Sequence, residues 1–329
     1  MTVVEFHKHQ DPAAILKFLR GYLPASLHIY HRIQAPQNTP ERHTLLLATF
    51  APDFAPESSS SSATVCFADR SRPNESQVWV FNPLCLQATQ PEDLPQEQHE
   101  LLIQHLRQLL HTIKRIGDSY ATAKQKPLNY PFIPFLKLAS VPELLTTILL
   151  RDILGDLSPL SYSMWDQLLF STQEVKQKNI MSRGLPEGYE WGTVPREEIN
   201  LVVSTSTVKR VAETLLTQPN VAIFTTGDRK MVAWAYLGLQ KTLNTLYVLP
   251  EHRGRGLAKL AAARLIVDLH DGSAGEEKAQ SDWCFAEVAA DNSESQRVCK
   301  SLGARFHGRA AYMTIDLGRV VQSLIVQSR

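Results

Sequence analysis

Apolar and polar positions along the chain sort into short strands and amphipathic helices. In residues 96–116, Leu102, Leu106, Leu109, Ile113 and Ile116 recur at helical spacing, which predicts one long helix with a single apolar face. The runs "HTLLLATFA" (43–51), "TVCFADR" and "SQVWVFNP" are short, continuous and apolar, and predict buried strands, the last two around a turn at "SRPNES". "PAAILKFLR" (12–20) predicts a first helix with Asp11 as N-cap and Pro12 at its first position. "LPASLHIYHRI" alternates imperfectly and predicts an irregular strand. "LASVPELLTTILLRDILG" predicts an apolar helix with Pro142 near its start and Gly155 at its end. "PESSSSSA" (56–63) predicts a polar loop.

Residues 156–186 mix polar, apolar and glycine positions and predict a crossing between two domains, 1–180 and 181–329. Beyond Tyr189 the order is clearer. "GYEWGTV" predicts a strand, "PREEINLVVS" and "STVKRVAETLLTQ" helices, and "NVAIFTT", "MVAWAYLGLQ" and "TLNTLYVLP" three strands. "GLAKLAAARLIVDLH" predicts a helix and "SAGEEKAQ" a loop. "DWCFAEVAA" predicts a strand, "SESQRVCKSLG" a helix, and "ARFHGRAAYMTIDL" a closing pair of strands. The expected class is mixed α/β, with the same kind of pattern in both halves and no short repeat.

Composition narrows the function. Lys+Arg is 34 and Asp+Glu 33 over 329 residues, a net charge of +1, so the totals give no basic surplus for nucleic acid. Cys66, Cys85, Cys284 and Cys299 form no CxxC pair and no zinc-type cluster, so no metal is expected. No run reaches the ~18 apolar residues of a membrane span. The first residues contain acidic side chains and no apolar core of a leader peptide. A cytoplasmic protein without membrane or nucleic-acid partners is the expectation.

One corner stands apart. In "VLPEHRGRGLAKLAAARL" (248–265) an apolar strand ends, and a turn with Gly254 and Gly256 leads into an alanine-rich helix. His252, Arg253 and Arg255 surround the turn. A helix start exposes unpaired N–H groups and partial positive charge, and glycine lets backbone approach an anion closely. Several N–H groups converging there suit a pyrophosphate. The stretch is neither a Walker A loop nor a dinucleotide fingerprint, because GK[ST] and GxGxxG are both missing. A plain strand–helix connection holding two glycines is the alternative reading.

"RGRGLA" (253–258) matches R/Q-x-x-G-x-G/A, and "AADNSESQRVCKSLGARF" (289–306) follows with Asn at a strand end, a helix and Leu-Gly. The pair resembles the two CoA-facing motifs of the GNAT superfamily of acyltransferases. "FLRGYLPASLHIYHRI" and "MVAWAYLG" followed by "LPEHRGRG" are similar to the glycine N-acyltransferase family, with its FR47-like C-terminal domain. That resemblance implies two tandem GNAT-like domains, the N-terminal one degenerate and only the second binding acyl-CoA or acetyl-CoA. It also leaves a mitochondrial location open. By the superfamily's arrangement, Val248 and Leu249 meet the pantetheine arm between two splayed strands. Arg253, Gly254, Arg255, Gly256, Leu257 and Ala258 hold the pyrophosphate, and Asn292 and Ser295 contact the lower cofactor arm. The N–H of Leu249 is a candidate oxyanion donor.

The implied reaction is direct attack of an amine on the thioester, helped by a base. The family's strand glutamate is replaced here by Thr242, which is no base near neutral pH. Glu287 in "CFAEVAAD" is the alternative base, against its plain reading as a salt-bridged strand residue. Thr242 positioning a water, or orientation of the amine alone, are the other routes. Cys299 stands where many members carry a tyrosine acid, and is a candidate proton donor or simply a packed thiol. The expected acceptor is a small-molecule amine or an amino acid. A protein or peptide N-acetyltransferase and a non-catalytic acyl-CoA binder remain as alternatives, and the oligomeric state is open.

Overall fold

The computed structural model describes residues 4–54, 56, 62–271 and 282–327. Most of the polar loop expected at 56–63 and all of the loop expected at 273–280 lie outside the described residues. In chain order the elements are β1 (His7–His9), α1 (Ala13–Arg20), α2 (Leu27–Ile33), β2 (Thr44–Ala48), β3 (Val65–Asp69), β4 (Val78–Phe81), α3 (Gln96–Ser119), β5 (Phe135–Pro142), α4 (Glu143–Ile148) and β6 (Ser161–Ser171). After α5 (Thr172–Gln177) come β7 (Tyr189–Gly192), α6 (Ile199–Thr205), α7 (Ala212–Leu215), β8 (Asn220–Thr225), β9 (Met231–Leu237) and β10 (Leu243–Val248). Then follow α8 (Leu257–Asp271), β11 (Trp283–Val288), α9 (Ser293–Leu302), β12 (Arg305–Asp316) and α10 (Leu317–Gln327). The order strand, helix, helix, three strands, helix, strand, helix, strand thus occurs twice.

The chain divides into two compact units, Met1–Met164 with Arg309–Arg329, and Trp165–Gly308. This differs from the expected division at residue 180 in two ways. Residues 165–180 belong to the second unit because Asp166–Ser171 of β6 pair with β11. Residues 309–329 return to the first because Ala310–Asp316 pair with β5 and α10 packs on α3.

In the first unit β1–β2–β3–β4 run antiparallel, β4 meets β5 in parallel, and β5 pairs with β12. Alternate residues feed two cores. Leu45, Leu47, Cys66, Ala68, Val78 and Val80 face α3, α4 and α10. Leu46, Ala48, Val65, Phe67, Trp79 and Phe81 face α1 and α2. A sheet covered on both faces needs apolar residues at every position, which is why these strands read as continuous apolar runs.

The second unit has an antiparallel sheet in the order β10–β9–β8–β7 and the antiparallel pair β6–β11. Val221 and Ile223 of β8 pack under α8, while Ala222 and Phe224 face α6 and α7.

Several sequence expectations change. "SLHIYHRI" contains a helix, α2, not a strand. All of Leu27–Ile33 is buried, polar residues included, so no exposed face marks the helical period. "LASVP" is the end of β5, and the helix starts only at Glu143. Within 206–218 only Ala212–Leu215 are helical. The terminal "pair of strands" is the single strand β12, since Gly308 does not adopt a positive φ and the chain runs straight through it. Among the described residues, no helix is long and apolar enough to cross a membrane.

Candidate active site

The two parallel neighbours β10 and β11 touch through one bridge, Thr242 to Phe285. Beyond it they part, and a pocket of about 560 Å3 opens in the second unit between them. Its walls include Leu243–Val248, Ala286–Val288, the start of α8, and Asn292, Ser295, Val298 and Cys299 of the α9 region.

A β-bulge shapes the β10 wall. Asn244 opposes Tyr236 and Tyr247 opposes Trp234, so Thr245 and Leu246 together face Ala235. Thr245 has φ +51°, a conformation rare for a β-branched residue. A bulge leaves its extra residue outside the ladder, and Thr245 and Leu246 both line the pocket.

The floor of the anion corner is the α8 start. Gly254 and Gly256 have φ +76° and +78°, where other residues are strained, and a Cβ on either would meet no atom within 4 Å. The space over both is therefore open to a ligand. The first bond of α8 runs from Leu260 N–H to the Gly256 carbonyl, so the N–H groups of Leu257, Ala258 and Lys259 precede the first intrahelical donor.

Most of the residues expected at the site are brought together here. Val248, Arg253, Gly254, Gly256, Leu257, Ala258, Asn292, Ser295, Glu287 and Cys299 all line the pocket. Leu249, Arg255 and Thr242 do not. Leu249 N–H donates to the Val232 carbonyl at 2.8 Å, within the β9–β10 pairing, so it is no oxyanion donor. Arg255 is exposed and lies over the Tyr189 ring at 5.9 Å. Thr242 is buried at the bridge, and its hydroxyl sits 2.5 Å from where a Cβ on Gly238 would be, so it packs in the β9–β10 turn and positions no pocket water.

Side chains within the site divide by role. Arg253 Nε donates to the Val248 carbonyl at 3.1 Å and its guanidinium lies 5.6 Å from the Tyr247 ring centre, bracing the end of β10. Its N–H donates to the Pro250 carbonyl. Asn292 accepts Ser295 N–H at 3.0 Å and so caps α9. Glu287 is half-buried on β11, with Gln167 Nε2 donating to one carboxylate oxygen at 3.2 Å. Cys299 is buried, and desolvation pushes its thiol up to about 12. A thiol that weak as an acid releases its proton less readily than a free thiol near 8.5, which supports the packed reading of Cys299 over the proton donor.

The pocket also has walls that sequence reasoning did not place. These are Trp165, Val202, Thr205–Val208 and Arg210. The available signal was the β-branched, polar run "STSTVKRV", a poor helix former. Among the described residues, no three His, Cys, Asp or Glu side chains are grouped to hold a metal ion.

A helix start with open glycines beside two parting strands, in a mixed α/β unit, is the arrangement that the resemblance to GNAT acyltransferases implies. Residues 1–178 match the family described as the acyl-CoA N-acyltransferase verG N-terminal domain, and residues 220–312 match the FR47-like protein family. The chain belongs to the first of these families and is an acyl-CoA-dependent N-acyltransferase. No curated protein sequence matches it. Among solved structures, a Drosophila protein shares the fold at 13% identity, with 94% of this chain and 98% of that one covered and a TM-score of 0.60. A tandem GNAT protein from the clavulanic acid biosynthesis pathway aligns at 13% identity over 95% and 98% of the two chains, TM-score 0.49. A GCN5-related N-acetyltransferase-like protein from Streptococcus suis aligns at 12% over 92% and 99%, TM-score 0.41.

Proposed function

We propose that the second unit binds acyl-CoA between β10 and β11 and transfers the acyl group to the amine of a small molecule or amino acid. The observation that carries this reading is the open pocket beneath the Gly254–Gly256 helix start. Backbone N–H groups of Leu257–Lys259 receive the pyrophosphate, and the pantetheine arm runs along β10. The amine nitrogen attacks the thioester carbon, a C–N bond forms, and the C–S bond breaks to leave CoA and an amide. Backbone at the Thr245–Leu246 bulge, in place of Leu249, faces the developing oxyanion. Glu287 takes the amine proton, directly or through water, and the proton ends on the leaving thiolate.

The test is free-thiol release from acetyl- to long-chain acyl-CoAs, with and without pooled amino acids, simple amines and short peptides. Release dependent on a small amine is expected. Folded Glu287→Gln is expected to lose at least 10-fold in kcat, and Cys299→Ala to stay within two-fold of wild type. Release only with peptides overturns the acceptor reading. CoA binding with no release overturns catalysis at this site.

A further inference from the structure

His252 sits in the turn before α8 and lines the pocket beside Arg253, Gly254 and Gly256. Its ring is held from outside that turn. Tyr189 belongs to β7, the strand at the opposite edge of the sheet from β10. Its Oη lies 2.8 Å from His252 Nδ1, and the rings meet edge-to-face at 5.7 Å and 83°. The Arg255 guanidinium covers the same phenol ring at 5.9 Å. The tyrosine is therefore fixed on two sides, and it takes the Nδ1 edge of the imidazole. Among the described residues, His252 makes no other side-chain hydrogen bond. Its Cε1–Nε2 edge is left for a ligand.

The hydroxyl can donate to Nδ1 or accept from Nδ1–H, and the direction sets what Nε2 offers. When the phenol donates to Nδ1, the neutral ring carries its hydrogen on Nε2. When the ring is an imidazolium, Nδ1–H donates to the phenol oxygen and Nε2 again carries a hydrogen. A phosphate oxygen accepts from Nε2–H in either state, and it repels only the tautomer that the Tyr189 donation excludes. Backbone amides of a helix start bind phosphate without choosing among rotations of it. A side-chain donor at a fixed angle adds that choice.

We propose that Tyr189 is a positioning residue that makes His252 a pyrophosphate ligand, its Nε2–H donating to a phosphate oxygen of CoA. The inference rests on the acyl-CoA reading of the pocket. It gives Arg255, which stands outside the pocket, an indirect part through the face of the tyrosine it covers.

The experiment is calorimetric binding of CoA, dephospho-CoA and pantetheine to wild type, Tyr189→Phe, His252→Ala and the double variant. Tyr189→Phe is expected to weaken CoA and dephospho-CoA about 5- to 10-fold and to leave pantetheine within two-fold. His252→Ala is expected to weaken both phosphate ligands at least as much, with no further loss in the double variant. In 15N-detected spectra of the CoA complex, the His252 proton is expected on Nε2 in wild type and divided between the nitrogens in Tyr189→Phe. Unchanged CoA affinity in Tyr189→Phe, equal weakening of CoA and pantetheine, or additive losses in the double variant overturn the proposal. An effect on CoA that vanishes with dephospho-CoA overturns the assignment to the pyrophosphate. Wild type binding none of the three ligands overturns the acyl-CoA reading itself, and this inference with it.

Discussion

Each unit has a strand that runs into its longest helix beside a parallel neighbour, and the two junctions have opposite fates. In the first unit β4 meets β5 at one register position, Val78 to Leu138. In the second β10 meets β11 at one bridge, Thr242 to Phe285. Both pairs then part. In the first unit the connection is residues 82–95, with short 3-10 turns at Pro83–Leu86 and Pro91–Asp93. Leu84, Ala88 and Leu94 from it are buried among Leu102, Leu138 and Leu145. Asn82 pins the turn, accepting Leu84 N–H at 2.8 Å and donating to Thr64 Oγ1 at 2.9 Å. In the second unit the connection is residues 249–256, and its two left-handed glycines leave the space above them open. One topology thus yields a packed joint in one place and a ligand pocket in the other. Fold alone does not make a site; the residues at the strand end do.

Filling the open junction is the sharpest way to break the contrast. Gly256→Trp adds a side chain where no atom lies within 4 Å and costs the fold about 1–2 kcal/mol for its left-handed φ. Its expected effect is at least a 1,000-fold loss of CoA affinity, about 4 kcal/mol, read by calorimetry on protein whose circular dichroism matches wild type. A variant that binds CoA normally would remove the α8 start from the site.

Emptying the filled junction is the reciprocal change. Leu84→Ala is expected to lower stability by about 3–4 kcal/mol in urea, because a buried leucine leaves a cavity, and to leave CoA affinity within two-fold. If stability holds, the packing of the 82–95 connection is not what closes that crevice.

Acid sharpens the comparison further. His105 is buried on α3, and its Nδ1 lies 2.8 Å from Thr64 Oγ1, in the same network as Asn82. Burial lowers its pKa from 6.5 to about 4. Between those values the unfolded chain binds the proton and the folded chain does not. The contribution is therefore complete above pH 6.5, falls as pH drops toward 4, and amounts to about 3 kcal/mol. The urea midpoint measured from pH 7 to 4 is expected to fall less in His105→Gln than in wild type. Equal slopes would show that His105 is not titrating across that range.

The RGRGLA corner was legible because its residue types are demanded locally. Positive φ calls for glycine at 254 and 256, and a helix start brings its amides with it. The strands β2, β3, β8 and β9 and the helices α3 and α8 were legible for a similar reason, since each carries its signal, a short apolar run or a helical period, within its own residues. α2 was hidden because tertiary burial covers its polar side as well as its apolar one. The β10 bulge was hidden because Thr245 gives no local hint of a left-handed backbone. Tyr189 and His252 lie far apart in sequence, and only the sheet brings them together.

By itself the sequence determined the class of the fold and the two glycines and helix start of the anion corner, because short-range backbone preferences and the apolar pattern of single elements suffice for these. Tertiary structure alone decided that Leu249 N–H is spent in the sheet, that Thr242 and Cys299 are buried, and that the chain after residue 308 completes the first unit. Those outcomes depend on which hydrogen-bond partners and how much water each group meets, and distant parts of the chain supply both.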